Sequence, residues 1–253
     1  MNNDIISNVG NYAFAHQPLI RRNEGVELSR EILLREFNGL SISEFLEQPV
    51  MFCTHLLELV RCKALMVKHL ILELGDGVYF INFTPNQIAH SKFLDSLNCF
   101  YILDISPAKI AIEVTEQSRA NNPQAFYENL NIARERGHPI VVDDFGSGVS
   151  NFNHVKKLQP HIVKIDREVL CGAIDDEYCH NFLLHLVEFL KNIGSKVVIE
   201  GVETEKHLAI ALKSGCDFMQ GYYFARPITV HSNEINGARI VKPKSPLLCI
   251  QHL

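Results

Sequence analysis

Polar side chains suited to metal binding or acid–base chemistry recur in this sequence at one kind of position, the end of a short apolar run. The runs are VYFINF, KIAIEV, PIVVDD, HIVKID, KVVIEG and the shorter DFMQGYYF, and each is typical of a β-strand. A carboxylate after one strand is often only a turn residue or a helix cap. Recurrence after six strands indicates a shared site, made of Asn82, Glu113, Asp143, Asp144, Lys164, Asp166, Glu200 and Gln220.

The residue types at these positions favour divalent cations. Several carboxylates brought together in a cleft repel one another, and bound cations are the simplest compensation. Carboxylate and amide oxygens suit Mg²⁺ or Mn²⁺ rather than zinc. The adjacent Asp143 and Asp144 would let one carboxylate bridge two ions while the other binds one. Such a two-metal site activates water for in-line attack on a phosphodiester. Lys164 could orient that water, or it could simply neutralise the aspartates.

The segments between the strands predict the fold that must position these side chains. Their spacing predicts helices over residues 86–96, 123–136, 176–193 and 203–214, the last with Gly215 as C-cap. Residues 24–37 look extended, and residues 41–74 look like a short helix followed by a long one. Six or more βα units in 253 residues favour an α/β fold, a single-domain TIM-like (β/α)8 barrel. An open doubly wound sheet is the alternative, although no GxGxxG or Walker motif supports it.

Composition bounds the class of protein. A content of 47% hydrophobic residues is typical of a globular protein. The net charge of -5 gives no electrostatic attraction to DNA, RNA or anionic membrane. Seven cysteines without a CxxC motif predict free thiols in a reducing cytoplasm. The N-terminus is not typical of a targeting segment, and the apolar stretch 64–74 is too short and too charged to span a bilayer. We therefore expect a cytoplasmic protein without a membrane span.

Several separate motifs carry a family resemblance. VVDDFGSGVSNF resembles an Asp-Asp-Phe-Gly loop, IVKIDREVL a Lys-Ile-Asp segment, and VIEGVETE a Glu-Gly-Val-Glu helix start. AIEVTE, FINFTP and QGYYF follow the same family's order. Over residues 17–228 the chain therefore resembles the EAL-domain cyclic di-GMP phosphodiesterases. The signature Glu-Ala-Leu reads here as Glu31, Ile32 and Leu33, and Glu36 stands where the family usually has tryptophan. Because alternate side chains of a strand point to opposite faces, we expect Ile32 to point away from Glu31.

The resemblance implies hydrolysis of cyclic di-GMP to linear pGpG with two Mg²⁺ or Mn²⁺ ions. By motif, the metal ligands would be Glu31, Asn82, Glu113, Asp143, Asp144 and Glu200. Asp143, which ends its strand facing inward, would bridge the two ions. The catalytic group would be Lys164, Glu200 and Gln220. Contacts to the dinucleotide would come from Gln17, Leu33, Arg35, Asp166, Glu203 and Tyr222. Glu116 would anchor the loop after Asp144, which in this family couples the metal site to a homodimer interface.

The same reading divides the chain into a lead-in (residues 1–16), the phosphodiesterase barrel (17–230) and a tail of unassigned role (231–253). It leaves room for no sensory domain, so we expect a stand-alone enzyme. Two alternatives stay open at this point. One is a receptor that binds cyclic di-GMP without cutting it, and the other is a regulator that acts through protein contacts alone.

Overall fold

The computed structural model describes residues 10–23, 27–115, 119–147 and 152–236. Its strands are β1 (Tyr12–Arg21), β2 (Glu27–Phe37), β3 (Leu40–Ser41), β4 (Val78–Phe83), β5 (Ile110–Val114), β6 (Ile140–Phe145), β7 (Ile162–Ile165), β8 (Lys196–Ile199), β9 (Phe218–Met219) and β10 (Ile228–His231). Its helices are α1 (Ile42–Glu47), α2 (Val50–Thr54), α3 (Leu56–Leu74), α4 (Pro85–Ile88), α5 (Phe93–Ser96), α6 (Asn98–Ile102), α7 (Pro123–Glu135), α8 (Phe152–Leu158), α9 (Arg167–Gly172), α10 (Glu177–Asn192), α11 (Glu205–Ser214) and α12 (Ser232–Asn236).

Eight strands close into a barrel in the order β1, β2, β4, β5, β6, β7, β8, β9 and back to β1. Neighbours from β2 to β9 pair in parallel. Strand β1 runs antiparallel to both of its barrel neighbours, and β10 pairs with it from outside the ring. The predicted closed barrel is therefore confirmed over the open sheet, with one strand reversed.

Most predicted elements form close to their expected bounds. Residues 41–74, predicted as a short helix and a long one, form the three helices α1, α2 and α3. Other differences lie at β1, at residues 86–96 and at the last strand. Strand β1 was not predicted, because its sequence YAFAHQPLIR contains a proline and does not alternate polar with apolar residues. It begins inside the segment that sequence reasoning set aside as a lead-in. The helix predicted over 86–96 divides into α4 and α5. The last strand shortens to β9, and beyond it Gly221 passes so close to Val202 that a Cβ there would lie 2.1 Å from the Val202 carbonyl oxygen.

Two apolar layers explain where the polar residues lie. Inside the barrel, one side chain from each of seven strands forms a plug of Leu19, Phe80, Ala111, Val141, Ile162, Val198 and Phe218. A larger core lies between the outer barrel wall and the helices. Since side chains on a strand alternate between its faces, residues two positions beyond the plug also point inward. In β1, which runs the other way, the position lies two residues before the plug. These residues are Gln17, Asn82, Glu113, Asp143, Lys164, Glu200 and Gln220.

The plug thus forms the floor of a polar layer at the carboxyl end of the parallel strands, the end at which barrel enzymes carry their active sites. Elsewhere in the fold, the six cysteines in the described ranges are free thiols, as predicted. Among the same residues, no helix combines the length and the apolar character needed to cross a bilayer.

Candidate active site

Lys164 is the centre of the polar layer. Its ammonium nitrogen lies 2.5 Å from Glu113 Oε1, 2.6 Å from Glu200 Oε1, 3.1 Å from Asp143 Oδ1 and 3.2 Å from Glu31 Oε2. The Lys164 side chain is 1% exposed and that of Glu113 is fully buried. One ammonium therefore contacts four carboxylates from four strands, in a place where water screens the charges poorly.

Glu31 is the most fully hydrogen-bonded of these carboxylates. Its Oε1 accepts from Asn82 Nδ2 at 2.8 Å, and its Oε2 accepts from Gln220 Nε2 at 2.9 Å as well as from Lys164. Gln220 also reaches Gln17 Oε1 at 3.2 Å. The amides thus hold Glu31 in one orientation. They also connect β2 with its neighbour β4 and, through Gln220, with β1 and the end of β9.

The carboxylates do not share one protonation behaviour. Burial alone would raise the pKa of Glu31, but Lys164 and the hydrogen bonds from Gln220 and Asn82 bring it below its usual value. Burial and then Asp143 raise the pKa of Glu113 well above normal. Burial also raises the pKa of Glu200 to about 8, against the opposing pull of Lys164. The layer therefore retains protons near neutral pH, because the single positive charge of Lys164 cannot neutralise four carboxylates.

The adjacent aspartates reach the same site because the strand is irregular there. In a regular strand their side chains would point to opposite faces. The pairing of β6 with β7 shifts register between Val142 and Phe145, and Asp144 has a positive φ of 50°. The bulge turns both carboxylates toward one place, so that oxygens of Asp143, Asp144 and Glu200 lie within 4.8 Å of one another. Burial, followed by Asp143, raises the pKa of Asp144 to about 6.

This backbone geometry predicts different outcomes for two substitutions at Asp144. Asparagine tolerates the left-handed region, whereas alanine does so at a cost of about 1 kcal/mol. We expect Asp144→Asn to unfold in urea at or above the wild-type midpoint and Asp144→Ala below it, both without metal at pH 7. Both variants should bind Mn²⁺ more weakly. Equal stability of the two variants would contradict the role assigned to the backbone.

The arrangement corresponds to a known family. The sequence matches the EAL domain over residues 8–227. The chain belongs to the EAL-domain family. Among curated relatives, it is 28% identical to the probable cyclic di-GMP phosphodiesterase PdeG of Escherichia coli K12, over 85% of this chain and 44% of the relative. It is 24% identical to the cyclic di-GMP phosphodiesterase RocR of Pseudomonas aeruginosa, over 89% of this chain and 60% of that one. The EAL domain here thus spans about half the length of these relatives.

Solved EAL structures show the same fold. The PaMucR phosphodiesterase in complex with cyclic di-GMP superposes with a TM-score of 0.72 at 25% identity, covering 85% of this chain and 91% of that chain. A manganese and cyclic di-GMP complex of BlrP1 from Klebsiella pneumoniae gives a TM-score of 0.75 at 24% identity, covering 88% of this chain and 57% of that one. Both likenesses support the barrel, and both solved chains hold the dinucleotide.

Three of the predicted dinucleotide contacts lie on the paired strands β1 and β2 of the EAL domain. Gln17 is buried, opposite Glu31 in the strand register, and donates to the Ala225 carbonyl at 3.1 Å. Leu33 and Arg35 follow Glu31 at alternate positions of β2 and are half-buried. Ile32 is fully buried in the outer core, so the prediction that it points away from Glu31 is confirmed. The enlarged signature residue therefore leaves the polar layer unchanged.

The other predicted contacts lie beyond the carboxyl ends of later strands. The Asp166 carboxylate caps α9 by accepting from the Glu168 amide at 2.7 Å. Glu203 forms an ion pair with Arg167 at 2.9 Å. Tyr222 is half exposed, with the Arg226 guanidinium 4.6 Å from its ring centroid. Their role toward a dinucleotide stays a prediction. Glu116, predicted to anchor the loop, lies outside the described residues.

One buried cation near the site was missed by sequence reasoning. Lys63 lies on α3, and its ammonium donates to the Asn82 carbonyl at 2.7 Å. The sequence contained a signal for this residue. Lys63 falls within the apolar stripe of α3, whose other members are buried. A lysine in such a stripe requires a partner.

The raised carboxylate pKa values predict how the stability of the metal-free protein depends on pH. The pKa of Glu200 is raised to about 8, so between pH 6.5 and 8 the folded protein keeps a proton there that the unfolded chain has already released, and burial shifts the pKa of Glu113 in the same direction. Stability then falls as pH rises, by about 1.4 kcal/mol per pH unit for each retained proton. Buried His16, with a pKa lowered to about 4, has the opposite effect, but only below about pH 6.5.

Urea unfolding at pH 6.5, 7.2 and 8 in chelator measures this slope. We expect the slope to become shallower in Glu200→Gln and to disappear with saturating Mn²⁺, because bound cations displace the protons. A flat profile in the metal-free wild type would contradict the proton retention.

Proposed function

We propose that this EAL domain hydrolyses cyclic di-GMP to linear pGpG with the help of two Mg²⁺ or Mn²⁺ ions. The observation that carries the proposal is the layer of carboxylates and amides around Lys164, which brings together the residues that the family resemblance implies as ligands. The relatives named as cyclic di-GMP phosphodiesterases support the substrate class.

The chemistry of the donor set fits divalent cations. Glu113 Oε2 is buried and has no hydrogen-bond partner in the described structure, so this oxygen is available to a cation. The oxygens of Asp143, Asp144 and Glu200 are close enough to share an ion. Glu31, Asn82 and Glu113 complete an all-oxygen set of the kind that Mg²⁺ and Mn²⁺ prefer. When bound, the ions would supply positive charge that lowers the pKa of water and offsets the charge of the phosphodiester.

The residues of this chain have separate tasks in the proposed reaction. Water attacks phosphorus and gives up a proton, a new P–O bond forms, and the bond to the ribose 3′ oxygen breaks, with that oxygen taking up a proton and leaving as a hydroxyl. Lys164, held among the carboxylates, donates a hydrogen bond that orients the water. Gln220 and Asn82 keep Glu31 in place. Asp143, which lies 3.1 Å from Lys164 and beside Asp144, would hold the ions together with Asp144 and Glu200.

Binding of the dinucleotide is proposed to involve the rim of the site. Arg35 can form paired hydrogen bonds with a phosphate, which lysine cannot. Gln17 belongs to the polar layer itself, and Tyr222 offers an aromatic face for a base. We further propose that the protein is cytoplasmic. We also propose that it forms a homodimer, which light scattering of the purified protein would detect.

Incubation of the purified chain with cyclic di-GMP tests the proposal directly. Chromatography should show pGpG with Mn²⁺ or Mg²⁺, no product in chelator, and loss of at least about 10³-fold in rate for Asp143→Asn. Tight binding without turnover in the presence of metal would instead support a receptor. If the protein neither binds nor hydrolyses cyclic di-GMP, the proposal is overturned.

A further inference from the structure

A second buried lysine lies on the outside of the barrel wall, behind the polar layer. Lys63 is 6% exposed and belongs to the face of α3 that packs against the barrel. Its ammonium nitrogen lies 2.7 Å from the Asn82 carbonyl oxygen and 4.9 Å from the centroid of the Phe83 ring. The site is therefore flanked by two ammonium groups, Lys164 inside the barrel and Lys63 outside it.

A lysine at this position is costly for the fold. Burial lowers the pKa of Lys63 to about 8, and the negative charge of Glu113 opposes the shift. Within the described ranges no carboxylate pairs directly with Lys63, so its direct compensation for desolvation comes from a carbonyl and an aromatic face, with Glu113 acting from a distance. Methionine would fill the same space without that cost. Packing alone therefore does not account for the lysine.

The carbonyl that Lys63 binds belongs to a residue whose side chain reaches into the site. The pairing of β2 with β4 ends at Ile81, one residue before Asn82. On its other side, Asn82 pairs in register with Glu113. The Asn82 side chain donates to Glu31 at 2.8 Å, which leaves its amide oxygen for a cation. A shift of the Asn82 backbone would therefore move both its side chain and the orientation of Glu31.

We propose that Lys63 is a positioning residue of the metal site, which acts by fixing the Asn82 main chain from outside the barrel. The inference rests on the proposed function in so far as Asn82 is a metal ligand. Removing a partner that orients a ligand typically costs about 10–100-fold in metal affinity or activity. Lys63 acts through Asn82 and does not touch the reacting atoms.

Lys63→Met tests this role, because it keeps an unbranched apolar stem and removes the ammonium. We expect the apparent Mn²⁺ affinity and kcat each to fall about 10-fold or more, with KM within about twofold. Thermal stability of the metal-free protein should change little, because removing the desolvation cost of the ammonium offsets the hydrogen bond lost by the Asn82 carbonyl. Lys63→Arg, which retains a donor, should recover most of the loss. Lys68→Met, on the same helix but outside its buried stripe, serves as control and should behave as wild type.

A metal-free measurement separates this inference from the proposed function. With asparagine-selective ¹⁵N labelling, the side-chain amide of Asn82 should shift and exchange faster in Lys63→Met, but not in Lys68→Met. If wild type binds no metal, the proposed function fails, yet the amide signal still tests Lys63. An unchanged Asn82 amide, or a lower melting temperature with unchanged Mn²⁺ affinity, would overturn the positioning role. If Lys63→Met does not fold, Lys63→Leu, which also lacks a donor, takes its place, and an unchanged Asn82 amide with wild-type Mn²⁺ affinity in that variant would overturn the positioning role.

Discussion

Lys164→Met is expected to abolish hydrolysis and to destabilise the metal-free protein by about 3–5 kcal/mol at pH 8, the cost of breaking a buried ion pair from one side. Four carboxylates contact the Lys164 ammonium at 2.5–3.2 Å. Without that charge they would face one another in a buried layer. The loss of stability relative to wild type should become smaller as pH falls, because protonated carboxyl groups no longer repel one another.

Divalent cations should separate the two roles of Lys164. Mn²⁺ can replace the missing charge, so the variant should recover its stability with Mn²⁺ while remaining inactive. Lys109→Met is the matched control, because Lys109 forms a 2.6 Å ion pair with Asp76 at the surface. An exposed pair contributes at most about 1 kcal/mol. Equal effects of the two substitutions on urea unfolding, or activity retained in Lys164→Met, would refute the central position of Lys164.

The positions of the candidate site residues were predictable because one physical regularity governs them. Parallel strands in a closed barrel expose their carboxyl ends on one face, and alternation along each strand sets which residues point inward. Asn82, Glu113 and Gln220 follow from those two rules alone. The apolar residue two positions earlier on each strand, such as Phe80 before Asn82, forms the plug beneath them.

Features that depend on three-dimensional contact were beyond those rules. No local pattern indicates that Asp144 has a positive φ, yet this conformation lets both aspartates face the site. Sequence reasoning placed Lys164 near the aspartates but could not show that it contacts Glu31, 133 positions away. Strand β1 escaped prediction because its stability comes from pairing with β2 and β9 rather than from its own pattern. Lys63 was missed because its partner is a main-chain carbonyl, which no residue type reveals.

Glu31→Gln and Glu113→Gln are expected to give the same loss of activity and opposite changes in stability. Each removes one carboxylate from the proposed metal site, so each should lower the hydrolysis rate by at least about 10³-fold. Glu31, whose pKa is held below normal chiefly by Lys164 against burial, acts as a charged acceptor for three donors. A glutamine there turns an NH₂ group toward one of those donors. The metal-free variant should therefore lose about 1–3 kcal/mol.

Glu113 behaves differently, because burial and then Asp143 raise its pKa well above normal, which favours its neutral form. Glutamine resembles that neutral form, and its oxygen can still accept from Lys164 at the position of Glu113 Oε1. Urea unfolding of the metal-free variant at pH 7.5 should therefore show stability equal to or above that of wild type. Equal destabilisation by both substitutions would contradict the assigned charge states. Stability changes of opposite sign would show that the metal-free layer is not arranged for maximum stability. Glu113 is more stable in its neutral form in the metal-free fold, and it must ionise when it binds a metal.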